Sequence, residues 1–287
     1  MLHSCIQSVI RTRKPENCRV DLVIIDNNEE ATAQKTIAAL SEKSPYEIHY
    51  LHEPRRGIPI GRNRALRFAQ SNKADFLVFI DDDETVEKNW LSELYRYAMK
   101  KNGRAVIHGR VIPQCPPRTP GHIVPFFEGR RHKPTGTPLM SCATDNVLIP
   151  VHPVTTHKLV FNESRPLAGG TDIQFFNRCG MEIFSCSEAV VYETVTRERT
   201  RIGWLVRRKF RTGIDNGKRK KENENAVRIV FSAVLQILFR LPLSALLLIA
   251  GKKHRAVHVF LRACRSAGTI LGMFGITIDS YKSIDGQ

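Results

Sequence analysis

The chain has 287 residues, 42% hydrophobic and 25% charged, with 18 Gly and 15 Pro, which excludes a disordered, collagenous or disulfide-scaffold protein and allows one large domain or two modest ones. Its 7 cysteines are scattered with no CxxC pair, so neither a zinc site nor a disulfide framework is indicated and a reducing cytoplasm is expected. The net charge of +16 is uneven: residues 1–196 hold 25 Lys/Arg against 22 Asp/Glu, and residues 197–287 hold 19 against 6.

In chain order, Met1 opens directly into a polar, helix-like stretch reaching about Arg11. Val20–Ile25 is a short apolar run rich in β-branched residues, closed by Asp26-Asn27-Asn28, and reads as a buried strand ending in a turn. A helical stretch near Ala31–Ser41, a strand at Tyr46–Leu51 and a helix over Ile60–Ser71 follow. Phe76–Ile80 is the strongest strand signal. Val86–Lys101 is an amphipathic helix, with Trp90, Leu91, Leu94, Tyr95 and Ala98 on one face. This alternation predicts an α/β, Rossmann-like, mostly parallel sheet covered on both faces. From Pro113 to Pro138 the pattern fades into an irregular segment of the kind used as a functional loop or lid. Regularity returns at Asn146–Ile149, in a helix after Gly169-Gly170, and in a strand around Ala189–Tyr192.

The run Asp81-Asp82-Asp83-Glu84 stands where a buried strand ends, which is where open α/β sheets bind ligands. On extended backbone Asp81 and Asp83 would point the same way, a minimal site for Mg²⁺ or Mn²⁺ completed by water and a diphosphate. The competing reading is an acidic helix start. Asp26 ends a second strand and is either a plain turn residue or part of the same sheet edge. Gly170 ahead of Asp172 allows close approach of backbone to a ligand, or simply starts a helix.

With those residues in view, the pieces VIIDNN, EPRRGIPIGRNRAL, FIDDDE, TDNVLI, GGTDIQFF and RIGWLVRRKFRTG resemble, in order, the family 2 inverting glycosyltransferases, in particular the bacterial branch acting in succinoglycan-type exopolysaccharide synthesis. The resemblance covers about residues 1–215 and implies a GT-A fold, a nucleotide-sugar donor, usually UDP-linked, a divalent metal, and a glycan or lipid-linked saccharide acceptor. It implies that Asp26 reads the nucleotide base, that Arg62 and Asn63 lie near the donor, and that Asp81 and Asp83 hold metal and diphosphate. Asn146 then lines the sugar pocket, although Asp145 replaces the usual Gly. Asp172 is the general base, with Thr171 where the family usually has Glu. Arg207, Arg208 and Arg211 either neutralise a departing diphosphate or belong to a membrane-facing basic stripe.

The expected division is a catalytic domain over 1–215 and a basic, apolar helical tail over 216–287. Family members open with a strand before the first helix; here that strand is missing, so either the natural product starts upstream or the chain is a truncated copy. A tail that is both basic and apolar suits an anionic membrane surface, at the cytoplasmic face of a bacterial inner membrane, better than nucleic acid. Ile229–Gly251 holds 14 Ile, Val, Leu or Phe and is about 34 Å long as one helix, but basic flanks on both sides favour an interfacial or re-entrant hairpin broken at Pro242. Ala256–Ile276 would be a further amphipathic element. The alternative function is a catalytically weakened glycosyltransferase-like protein, or a basic binding protein that uses the charged tail, in either case without transfer activity.

Overall fold

The computed structural model describes residues 1–128, 133–164, 166, 170–221 and 225–276. Its elements, in order, begin with helix α1 (Leu2–Ile10), strand β1 (Asp21–Asp26), α2 (Gln34–Ser41), β2 (Glu47–His52), α3 (Ile58–Ser71) and β3 (Phe76–Phe79). Then come β4 (Glu84–Val86), α4 (Trp90–Lys100), β5 (Val106–Gln114), the short α5 (Pro125–Glu128), β6 (Pro138–Leu139) and β7 (Val147–Pro150). The chain continues through α6 (Val151–Thr156), α7 (Thr171–Cys179), β8 (Ile183–Thr194), α8 (Ile202–Lys221), α9 (Ala226–Ile249) and α10 (Lys253–Met273). They form two compact units, Met1–Gln114 with Arg130–Thr194, and Cys115–Gly129 with Val195–Gln287.

The first unit is an α/β domain with a mixed sheet. β1 and β2 pair in parallel as a sheet of their own, while β3, β7, β5, β8 and β4 lie side by side in a second sheet, with β6 on β8. β5 and β8 run parallel; the pairs β3–β7, β5–β7 and β4–β8 are antiparallel. β1 pairs only with β2 and β3 only with β7, so among the described residues each sheet has an unpaired edge there. The apolar face of α4 (Trp90, Leu91, Leu94, Tyr97, Ala98) covers β5 and β8 in one core. Val106, Val147, Ile149, Phe161 and Phe175 fill a second core beneath α7.

Three local expectations change. The acidic run is a tight turn, closed by the Glu84 N–H donating to the Asp81 carbonyl at 3.1 Å, so the alternation argument for Asp81 and Asp83 does not apply. Glu84 then enters a short strand paired with β8, and the helix begins at Trp90 rather than Val86. The segment after Pro113 is not uniformly irregular: β5 runs to Gln114, and residues 115–129 join the second unit, where Ile123 and Phe126 pack with Leu205 and Leu261.

In the second unit, α8 and α10 approach through Gly213-x-x-x-Gly217 and Gly268-x-x-x-Gly272. A Cβ on Gly213 would run into the Arg265 carbonyl, and one on Gly268 into the carbonyl of Phe210. Only residues without side chains allow backbones this close. α8 therefore belongs with α10, and the units divide at Thr194/Val195 rather than near residue 215. Pro242 does not break the apolar stretch: α9 is one helix of 24 residues, and the hairpin lies between α9 and α10.

Candidate active site

The antiparallel register Phe79↔Val147 brings the residues after β3 beside those before β7, which sets Asp81 near Asp145. The Asp81 side chain reaches solvent but is crowded by surrounding protein. This crowding pushes its carboxyl up to about 7, with Asp145, Asp83 and Asp172 adding to the rise and Arg62 opposing it. Beneath the turn, Glu84 is 1% exposed and its Oε2 accepts from the Asp81 N–H at 2.9 Å. Burial first, then Asp81, Asp145 and Asp83, push Glu84 up to about 9. Carboxyls raised by one another mark a site of excess negative potential, which a hard divalent cation relieves. Asp81 and Asp83 both belong to this negative cluster. A trio of ligand atoms within 4.8 Å of one another occurs at Asp21, Glu47 and His49, where the Arg19 guanidinium already pairs with both acids.

Asp172 sits in the first turn of α7, whose N-cap Gly170 has φ +87°, a left-handed conformation that favours glycine. Gly169 lies outside the described residues. The Asp172 Oδ1 accepts from the Arg62 guanidinium and from Thr171 Oγ1 at 3.2 Å. Its Oδ2 faces the Thr144 N–H at 3.4 Å and the Thr144 Oγ1 at 3.3 Å. Arg62 lies 5.6 Å from the centroid of the Phe161 ring. One cation thus interacts with both the base candidate and Asp81 of the acidic turn.

The start of α3, which carries Arg62, is fixed by a residue the sequence reading passed over. Asn27 Nδ2 donates to the carbonyls of Glu53 (2.9 Å) and Arg55 (2.7 Å), and its Oδ1 accepts from the Gly57 N–H at 2.9 Å. Its place inside VIIDNN was the available signal. Asp26, next to it, is 4% exposed and accepts four hydrogen bonds, from the N–H and Nδ2 of Asn28, the Ala33 N–H and the Tyr50 hydroxyl. Burial acts to raise this carboxyl, but the hydrogen bonds outweigh it and hold it below its ordinary value.

Two residues expected near the donor are buried and hydrogen-bonded within the protein. Asn63 is 3% exposed; its amide exchanges hydrogen bonds with the Phe161 backbone and reaches Glu163. Asn146 is fully buried with φ +53°: its Oδ1 accepts from Trp90 Nε1 (2.7 Å) and its Nδ2 donates to the carbonyls of Arg110 (3.0 Å) and Ala189 (2.8 Å). It fills the irregularity where β5 shifts register between Gly109 and Arg110, and a Cβ on Gly109 would collide with it. Its neighbour Asp145 is the residue that interacts with the acidic turn, and it also pairs with His108 at 3.2 Å. Arg207 and Arg208 are carried by α8 in the second unit, where Arg208 lies 5.2 Å from the Trp204 ring.

Residues 1–150, which contain the acidic turn, Asp26, Arg62 and Asn146, match glycosyl transferase family 2. The chain belongs to that family. It is a transferase with a GT-A-like fold, a class that generally employs a divalent metal. It is 29% identical to the succinoglycan biosynthesis protein ExoM of Rhizobium meliloti (strain 1021), over 98% of this chain and 91% of that protein. Among solved structures, S. aureus TarS superposes with a TM-score of 0.53 at 12% identity, over 94% of this chain and 52% of TarS, so the chain spans about half of that relative's length. GalNAc-T7, solved with UDP, GalNAc and Mn2+, gives 0.51 at 16% identity, over 67% of this chain and 40% of that one. These two likenesses show the shared fold of the family 2 transferase.

Proposed function

We propose that this glycosyltransferase moves a hexose from a UDP-linked donor to a glycan or lipid-linked saccharide, with inversion, in the synthesis of a bacterial surface polysaccharide at the cytoplasmic face of the inner membrane. The observation that carries the reading is the grouping of Asp172, Arg62 and the Asp81–Glu84 turn as mutual neighbours in the first unit. Asp81 and Asp83 would hold Mg²⁺ or Mn²⁺, which when bound offsets the charge of the donor diphosphate. Inversion is a single displacement, so a base must act on the face opposite the leaving group. Asp172 fills that role: its carboxylate is oriented by Arg62 and Thr144, and the bare backbone of Gly170 beside it leaves room for a sugar. Arg62 sits near enough to both Asp172 and Asp81 to meet the donor phosphates. Asn63 and Asn146 support the site from below, and Asp26 holds the turn whose next residue, Asn27, sets α3.

A panel of UDP-sugars incubated with the full chain, Mn²⁺ and membrane-extracted acceptors, with released UDP as readout, tests the proposal. One UDP-hexose should give turnover that depends on the acceptor. Release that never exceeds the acceptor-free background with any donor would defeat it.

A further inference from the structure

The second unit carries an apolar surface that its own fold leaves uncovered. α9 meets α10 through buried Ile229 and Ala233 and through its polar side chains. Ser266 Oγ donates to Gln236 Oε1 (3.0 Å), Arg240 donates to the Arg262 carbonyl (3.1 Å) and Ser266 Oγ (2.9 Å), and Ser244 Oγ donates to the Ala256 carbonyl (2.9 Å). With these groups turned inward, the outer face is apolar apart from the exposed Arg228 in its first turn. Phe231 is 64% exposed, Leu238 65%, Phe239 71% and Ile249 84%. Exposed apolar area on this scale marks an interaction site.

The neighbouring helix says what covers it. Arg255, His258, Arg262 and Arg265 recur at i, i+3, i+7 and i+10, an exposed or half-exposed row along one side of α10. No described carboxylate pairs with Arg255, Arg262 or Arg265. Partial burial, and then the surrounding cations, hold His258 and Lys209 below their ordinary values. An apolar helix face, with Arg228 at one end, beside an uncompensated cationic row matches the two layers of an anionic bilayer surface, acyl chains and phosphates. A second copy of the chain fits poorly, because it would bring two regions of +13 together. A simple span fits poorly too. α9 is long enough to cross, but the helix it is hydrogen-bonded to bears arginines along its length, and basic clusters (Lys218–Lys221, Lys252-Lys253) flank α9 at both ends.

We propose that the α9–α10 hairpin docks, without crossing, on an anionic phospholipid bilayer: the outer face of α9 lies among the acyl chains at the interface, and the arginine row of α10 meets the lipid phosphates. This rests on the membrane location proposed above and goes further in assigning the surface, the lipid class and the non-spanning mode. It does not depend on the transfer chemistry.

The test is flotation of the full chain with sealed vesicles of phosphatidylcholine alone, or of phosphatidylcholine with phosphatidylglycerol at three to one. Wild type should float with the anionic vesicles. The triple variant R255E/R262E/R265E should partition at least about a hundredfold less, since losing three basic residues at about 1 kcal/mol each already gives that factor and the new carboxylates are repelled. F231S/L238S/F239S should also lose binding, and unchanged UDP affinity and circular dichroism would show that both variants fold. Trypsin added outside sealed vesicles should cut at Lys252-Lys253. If wild type floats with neither vesicle, the membrane location itself fails. If it floats equally with both and charge reversal changes nothing, the location stands and this surface is wrong. Protection of Lys252-Lys253 until detergent is added would mean a span, and a stable dimer dispersed by the triple serine variant would mean that a second copy covers α9; either overturns the proposal.

Discussion

Arg62 and Asp172 are 110 residues apart in sequence, yet the guanidinium of one and the carboxylate of the other form an ion pair with both side chains mostly buried. The pair joins α3 to the first turn of α7, and the same guanidinium also acts on Asp81 in the acidic turn.

The base assignment is open to a direct check. Asp172→Asn keeps the size and much of the hydrogen bonding but cannot accept a proton from the sugar hydroxyl, so transfer should fall by about 10²–10⁴-fold. UDP affinity in Mn²⁺, measured by calorimetry, should stay within a few-fold of wild type. Transfer at a near-normal rate would place the base elsewhere, and loss of UDP binding would place Asp172 in the donor site.

Metal dependence should follow the acidic turn. Removing divalent ions with a chelator should abolish both UDP binding and transfer, and adding Mn²⁺ or Mg²⁺ should restore them. Asp83→Asn should weaken both together, because it removes one of the proposed oxygen ligands. UDP binding that is indifferent to chelator would refute this part of the site.

Asn146→Ala tests the structural role given to a residue expected in the sugar pocket. It would leave the Trp90 indole N–H without its acceptor and two buried carbonyls without donors, at a cost of about 1–3 kcal/mol for each unsatisfied group. The urea midpoint should drop sharply, and Gly109→Ala, which forces a methyl against the same amide, should lower it as well. A variant as stable as wild type but defective in donor binding would return Asn146 to the pocket.

Asp26 should shape the acid limb of the stability curve. Its folded-state pKa lies below the ordinary value, so its contribution is fully present above the unfolded carboxylate pKa of about 4 and disappears as pH falls through the lower folded value. Asp26→Asn should be less stable at pH 7 and should lose less further stability than wild type on acidification. Parallel stability–pH curves for the two proteins would show that Asp26 makes no such contribution.

The sequence by itself determined the α/β class, the strand ends at Asp26 and before Asp81, the family and the apolar, basic character of the last ninety or so residues. Each of these is written in local patterns: β-branched runs, 3.6-residue periodicity, charge density and short motifs. What the side chains do where the chain turns was decided only by tertiary structure. Asp145 and Asn146 are adjacent letters, and either could have faced the site. The left-handed backbone at Asn146 and the β5 register shift beside Gly109 direct its amide into the core, while Asp145 is left to interact with the acidic turn. The acidic run became a turn because Glu84 is drawn inward to pair with β8, and α8 went with the second unit because glycines on α8 and α10 let two backbones touch. These outcomes depend on partners more than thirty residues away, and local pattern carries no information about which partner a buried polar group or a bare backbone will meet.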